Sequence, residues 1–314
     1  MFSKYKYVYA LYQEKSFTRA AEKLFISQPS LSAAIKGIEK RIGAPLFERT
    51  GAGIIPTNVG RVYVEAVEQI IRTENDCMRK INDLYNLETG SIRVGGTNYL
   101  ASYILPRIIN RFTSLYPKVE VEVVEAHSST LTQMLQEEEI DIVIDSFSEN
   151  LEQFDGVPLI GENVMLSVPA DRPINQQLTD YCIHPEDIYR QSIDLHNVPP
   201  VSIRLFEQES FITLKKGNDM YARAMDIFRK GEISPKIKFS VDQLNIAFAM
   251  SESGIGLCFV TDTLFRYGRA SNHLLLYNLA ENDGSRTLYV AHKKGRYCTR
   301  AMEKFIEISQ ELIR

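Results

Sequence analysis

A chain of 314 residues is long enough for two or three domains at roughly 100–200 residues each, and its 44% hydrophobic and 24% charged residues are those of a globular protein. That composition excludes a disulfide miniprotein, a fibre and a disordered tail, and no run approaches the roughly 18 apolar residues that a membrane span needs. The net charge of −4 is unevenly spread: residues 1–60 carry nine Lys/Arg against four Glu (+5), and the remainder carries 27 basic against 36 acidic residues (−9). A basic module on an acidic body suits a protein that touches a polyanion at one end only. The N-terminus lacks the apolar stretch of a secretion signal, so the expected location is cytoplasmic, with no membrane partner. Cys77, Cys182, Cys258 and Cys298 form no C-x-x-C pair, which argues for ordinary thiols.

Tyr5, Val8, Tyr9 and Tyr12 recur at helical spacing and predict a first amphipathic helix, ended by the polar run Gln13-Glu14-Lys15-Ser16. Phe17, Ala20, Ala21 and Leu24 predict a second, with Ser16 or Thr18 as its N-cap. After the turn Phe25-Ile26-Ser27, Ser27 caps a third helix with Pro29 in its first turn; Leu31, Ile35, Ile38 and Ile42 make its buried stripe and Gly43 stops it. Two short helices joined by a three-residue turn describe a helix-turn-helix reader of double-stranded DNA. Its outward face is Gln28, Ser30, Ser32, Ala33 and Lys36. Gln can pair with adenine, Ser with base edges or phosphate, Ala with a thymine methyl, and Lys with guanine or phosphate. Leu46–Arg49 and Gly53–Ile55 flank Thr50-Gly51-Ala52 as a small β-wing. A plain three-helix bundle whose polar face meets only water satisfies the same spacing.

Residues 16–60, SFTRAAEKLFISQPSLSAAIKGIEKRIGAPLFERTGAGIIPTNVG, closely resemble the winged helix-turn-helix of LysR-type transcriptional regulators. The resemblance is carried by SFT-x-AA, the SQPS-x-S turn and helix start, IE-x-x-IG-x-x-LF-x-R and the closing PT-x-x-G. DNA contacts are accordingly assigned to Thr18, Arg19, Ser27, Gln28, Pro29, Ser30, Ser32, Ala33, Lys36 and Arg49. Many relatives carry long polar or basic residues where this chain has Ala33 and Ala34, and a basic wing residue where it has Ala52. Base readout is therefore expected to be sparse and to lean on DNA shape.

From Thr57 to about Leu87, Val59, Tyr63, Ala66/Val67, Ile70, Cys77, Ile81 and Leu84 keep one side apolar over a helix of roughly 45 Å at 1.5 Å per residue. Such a seam can bury itself against a second copy, giving a homodimer or, as a dimer of dimers, a homotetramer; packing along its own C-terminal domain is the alternative. The family resemblance implies the paired linker helix. Thr89-Gly90 marks the hinge.

Beyond the hinge SIRVG (91–95), VEVEVV (119–124) and IDIVI (140–144) alternate with helical stretches Tyr103–Tyr116 and Leu131–Glu138, predicting βαβαβ and a parallel sheet. A second set runs through NVMLSVP (163–169), SFITL (210–214), a helix Tyr221–Lys230, KIKFS ending at Ser240, a helix Gln243–Ser253 and GIGLCFV ending at Val260. LLLYNL (274–279), RTLYVAH (286–292) and a helix Thr299–Ile313 close the chain. The pattern resembles a type-2 periplasmic binding protein. The expected organisation is multidomain: an all-α winged helix-turn-helix (1–57), a linker helix and hinge (58–90), then an α/β two-lobed effector domain (91–314). Its lobe I would hold 91–162 and 268–314, and its lobe II 163–267. The irregular segment 170–209 suggests no function by itself.

In open α/β sheets a ligand sits beyond the carboxyl ends of the strands, where helix N-termini face a crevice. That rule selects Thr97, Asn98 and Tyr99, then Ser128, Ser129 and Thr130, then Asp145, and in the second lobe Thr213, Lys215 and Gln243. Hydroxyls and amides at helix starts suit a small anionic effector, with Lys215 adding charge pairing. An enzyme or a free solute-binding protein on the same two-lobed fold is the rival class. No G-x-G-x-x-G, G-x-x-x-x-G-K-[ST] or G-x-S-x-G occurs, and the five histidines form no H-E-x-x-H or H-x-H pair, so catalytic residues, metal and cofactor are all expected to be none.

Overall fold

A computed structural model describes residues 4–51, 53–83, 90–147, 151–282 and 286–313. The chain divides into two compact units, Met1–Leu84 and Tyr85–Arg314.

The first unit is α1 (Tyr5–Glu14), α2 (Phe17–Lys23), α3 (Gln28–Ile42), a hairpin of β1 (Phe47–Thr50) and β2 (Gly53–Pro56), and α4 (Asn58–Asp83). Ser16 and Ser27 cap α2 and α3, accepting from the amides of Arg19 and Ser30, and Gly43 ends α3 in the left-handed conformation at φ 84°. Val8, Leu11, Ala20, Ala21, Leu31, Ile35 and Ile38 are buried together with Leu46 and with Tyr63, Val64 and Val67 of α4. The Glu39 carboxylate accepts from the Leu46 amide at 2.8 Å and so ties α3 to the hairpin. Thr57 accepts from the Gly60 amide at 3.0 Å. Gly60 is required: a Cβ there would lie 1.9 Å from the Leu46 carbonyl oxygen.

Tyr63 and Val67 of the linker seam turn inward, whereas Val59, Cys77 and Ile81 are exposed. The middle of α4 keeps an open, largely apolar face, with Ala66, Ile70 and Cys77 beside Tyr5. Twenty-six residues at 1.5 Å rise give α4 a length of about 39 Å. Its expected continuation to Leu87, the seam residue Leu84, Thr89 of the hinge and the wing residue Ala52 lie outside the described residues.

The second unit has two lobes. One sheet contains β3 (Gly90–Gly96), β4 (Val119–Glu125), β5 (Ile142–Asp145), β6 (Phe154–Glu162) and a late strand, Arg286–Lys293, in the order β4-β3-β5-late strand-β6. The other contains β7 (Val164–Pro169), β8 (Ser210–Leu214), β9 (Lys236–Val241), β10 (Leu257–Thr261) and β11 (Leu274–Tyr277), in the order β11-β7-β10-β8-β9; the late strand is thus β12. In each sheet three strands pair parallel, as the βαβ pattern requires, and two more are added through antiparallel pairing. The first lobe is covered by α5 (Asn98–Tyr103), α6 (Leu105–Leu115) and α7 (Ser128–Gln136). Then come α8 (Pro185–Tyr189), α9 (Asp219–Lys230), α10 (Leu244–Glu252), α11 (Asp262–Tyr267) and, after β12, α12 (Arg300–Leu312).

Three expectations change. The chain does not return to lobe I at 268: β11 pairs antiparallel with β7, Leu274 opposite Pro169 and Tyr277 opposite Leu166, so the crossing falls between Tyr277 and Arg286. The place of β11 in the second lobe has a physical reason, since its Leu274, Leu276 and Tyr277 are buried in the core there. The helix expected at Tyr103–Tyr116 begins earlier, at Asn98, and breaks at Ile104, where Pro106 fits the first turn of α6. Residues 154–162 form a strand that its mixed polar sequence conceals. The irregular segment 170–209 buries Leu178, Ile183, Ile188, Val201, Ile203 and Phe206 and bridges Ile183 to Leu276 and Val201 to Leu279, shielding the β11 edge.

Candidate nucleic-acid interface and ligand cleft

The first site is the start of α3. Ser27, Gln28, Pro29, Ser30, Ala33 and Lys36 are exposed, Ser32 is half-buried, and Thr18 and Arg19 lie exposed on α2. The Ser27 and Ser30 hydroxyls are 2.8 Å apart, so the cap also orients a side chain on the outward face. Arg19 donates to the Glu14 carbonyl at 2.6 Å, and the Arg49 guanidinium lies 5.9 Å from the Phe17 ring, which places the hairpin beside α2. Phe25, in the turn, is 96% exposed at φ 53°, a left-handed conformation that spacing could not reveal.

The second site is the cleft between the lobes of the second unit. The ends of β3, β4 and β5 meet those of β8 and β9, and a small cavity there is lined by Thr97, Asn98, Tyr99, Ser128, Asp145 and Gln243. Six of the ten expected residues thus converge. An adjoining outer chamber takes Ser129 together with Ser128, Asp145 and Lys216. The remaining three do not line either chamber. Thr130 is exposed, Thr213 is buried with its hydroxyl 3.3 Å from that of Ser240, and Lys215 pairs with Asp242 at 2.7 Å. Lys215 therefore supplies no free charge to an anion.

Sequence reasoning missed the floor of this cleft. Arg286 of β12 stands opposite Glu162 of β6 and pairs with it at 2.5 Å, and its other arm reaches Asp219, the first residue of α9, at 2.5 Å. Glu162 is fully buried and also accepts from the Tyr99 hydroxyl at 2.7 Å and from Thr263. Burial works against the charged guanidinium, but Glu162, Tyr99 and Asp219 together hold its pKa well above the ordinary arginine value. Burial likewise lifts the Asp219 carboxyl, and Arg286 and Arg223 outweigh it, leaving the group below the usual carboxylate range. Burial and Glu162 push the Tyr99 phenol far up. Across the cleft Asn245 donates to Asn98 at 2.7 Å. No signal in the sequence marks Arg286, which opens an ordinary strand run.

Among the described residues no group of three His, Cys, Asp or Glu side chains could hold a metal, and no helix is long and apolar enough to cross a membrane.

Known proteins match both units. The family model "Bacterial regulatory helix-turn-helix protein, lysR family" matches residues 2–61, and "LysR substrate binding domain" matches residues 86–314. The HTH-type transcriptional regulator YcgK of Bacillus subtilis strain 168, itself uncharacterized, is 28% identical over 314 residues, covering 98% of this chain and 94% of its own. Full-length OxyR from Pseudomonas aeruginosa shares the fold with a TM-score of 0.64 at 20% identity, covering 98% of this chain and 97% of that one. Full-length CbnR in complex with its target DNA does so with a TM-score of 0.60 at 15% identity, covering 98% and 97%. With both domain models matched, and with relatives that are regulators rather than enzymes, the chain belongs to the LysR family of transcriptional regulators, as a helix-turn-helix DNA-binding protein with an effector-binding domain.

Proposed function

We propose that this regulator reads an operator with the exposed start of α3, flanked by Thr18 and Arg19 and by Arg49 of the wing, and that a small molecule in the interlobe cleft changes how it does so. The observation that carries the DNA reading is the capped start of α3, whose Gln28, Ser30, Ala33 and Lys36 all face solvent. With two alanines on that face, Ala33 exposed and Ala34 half-buried, direct base contacts are few and DNA shape supplies much of the specificity. CbnR, which shares the fold, has been crystallised on its target DNA.

The same reading pairs two copies through the middle of α4, where Ala66, Ile70 and Cys77 form an open apolar face beside Tyr5. It places the protein in the cytoplasm, with chromosomal DNA. The inner chamber offers an anion little, because its arginine is already held by two carboxylates, and Lys216 stands only in the outer chamber. The acidic lining of the inner chamber counts against the anionic class expected from hydroxyls and helix starts.

Selection of bound duplexes from a random pool by the full-length chain tests the reading. A dyad-symmetric motif with half-sites about one helical turn apart is the expected result, and a single asymmetric site would sink the paired arrangement. Thr97→Val with Ser128→Ala should leave that motif and its affinity unchanged while removing every ligand response. A response that persists in the double variant would place the effector elsewhere.

A further inference from the structure

The two chambers of the cleft meet at Ser128, Asp145, Asn218 and Asp219, which line both. The charges there are lopsided. Glu125, Asp145, Asp219 and Asp242 line the inner chamber against Arg286 and His127. Arg286 is engaged by Glu162 and Asp219, and two of the acidic groups have cations of their own just outside the lining, Arg223 for Asp219 and Lys215 for Asp242.

Asp145 differs from these neighbours. It is 6% exposed, accepts from the Ser146 amide at 2.7 Å, has the Ser128 hydroxyl near enough to favour its charged form, and forms no ion pair among the described residues. Burial pushes its carboxyl above the usual range, against the pull of Ser128, Ser146 and Arg286 and with the help of Asp219. A desolvated carboxylate without a counter-ion is costly in a sealed core, but this one opens onto a cleft. A second orphan lies in the same chamber: Thr97 Oγ1 is buried and has no hydrogen-bond partner.

We infer that the ligand of this cleft carries a cationic nitrogen, an ammonium or guanidinium, that seats against Asp145 at the neck between the chambers and donates to Thr97 Oγ1. The inference rests on the cleft being the effector site. A carboxylate ligand at the same place would face four acidic side chains, and the arginine lining the inner chamber is already paired with Glu162 and Asp219, which leaves Lys216 of the outer chamber as the cation nearest to it. Asp145 supplies the charge, Ser128 and Thr97 the neutral contacts, and the outer chamber with Ser129 and Ser146 receives the rest of the molecule.

Calorimetry on the full-length chain with putrescine, agmatine and L-lysine as cationic probes, and succinate and benzoate as anionic ones, tests it at matched pH and ionic strength. At least one cationic probe should bind, with affinity rising as pH rises through the elevated range of Asp145, and Asp145→Asn should weaken it about a hundredfold. Glu186→Gln, whose exposed ion pair with Arg190 lies outside both chambers, should change it less than about fivefold. Failure of all three cationic probes to bind, or cation binding indifferent to Asp145→Asn, overturns the inference. Succinate or benzoate binding that disappears in the Thr97→Val, Ser128→Ala variant overturns the cationic class and keeps the cleft. Binding of any probe that survives that double variant overturns the cleft itself.

Discussion

The DNA-binding unit and the interlobe cleft put charge to use in opposite ways. At the start of α3 the polar side chains are exposed, and the contacts that shape the surface are short in sequence: Ser27 to Ser30, Ser16 to Arg19, Thr57 to Gly60, Glu39 to Leu46. On the cleft floor the charges are buried and compensated, by contacts joining residues 63 apart for Tyr99 and Glu162, 124 for Arg286 and Glu162, and 187 for Arg286 and Tyr99. An exposed face can lose a charge without losing its fold. A buried network cannot, because each member left behind is an unpaired group in a low-dielectric site.

Removing the centre of the network should therefore give the largest effect. Arg286→Met leaves Glu162 fully buried without its cation, and breaking such a pair costs about 3–5 kcal/mol. Urea unfolding should show the midpoint of the second unit falling while the first unit's transition stays in place. An unchanged midpoint would mean that Glu162 takes up a proton or another partner at little cost, and the contrast between the regions would collapse.

The length scales also explain what could be read in advance. The first unit was legible because caps, turn and apolar stripe each lie within a few residues of one another, so Ser27, Pro29 and Gly43 declare the ends of α3 by themselves. Strand ends next to helix starts located the cleft, which is why Thr97, Asn98, Ser128 and Asp145 converge. Arg286 and Glu162 were not legible, because only the antiparallel register of β12 on β6 sets them opposite each other. The lobe boundary failed for a similar reason: nothing local in LLLYNL says which of two sheets will accept it.

A smaller effect sharpens the comparison from the other side. Gly60→Ala would set a methyl against the Leu46 carbonyl, and the backbone shift needed to relieve it should cost about 1–3 kcal/mol. Here the first unit's midpoint should fall and the second unit's remain. Equal loss in both would show that the two units do not unfold separately.

Asp145→Asn tests the buried carboxylate of the cleft that has no ion pair among the described residues, with an opposite sign. Its pKa is raised in the folded protein, so its contribution to stability is full below the unfolded value and is lost as pH rises through the folded one. At neutral pH the charged form is a burden, and the amide variant should melt higher than the parent, the difference vanishing in acid. A lower melting point at neutral pH would mean that the carboxylate is compensated after all.

Lys36→Ala should give the smallest change in stability, and it separates the two regions most cleanly. Lys36 is exposed on α3, with no hydrogen bond or ion pair among the described residues, so neither unfolding midpoint should move. Its effect belongs to DNA alone: contact with a phosphate releases a counterion, and losing it should flatten the salt dependence of operator binding by about one unit of logarithmic slope. Titrating the selected duplex at several salt concentrations measures that slope directly. An unaltered slope with weaker binding would move Lys36 from the phosphates to a base edge, where specificity at one operator position should relax; unaltered slope and affinity together would remove it from the interface.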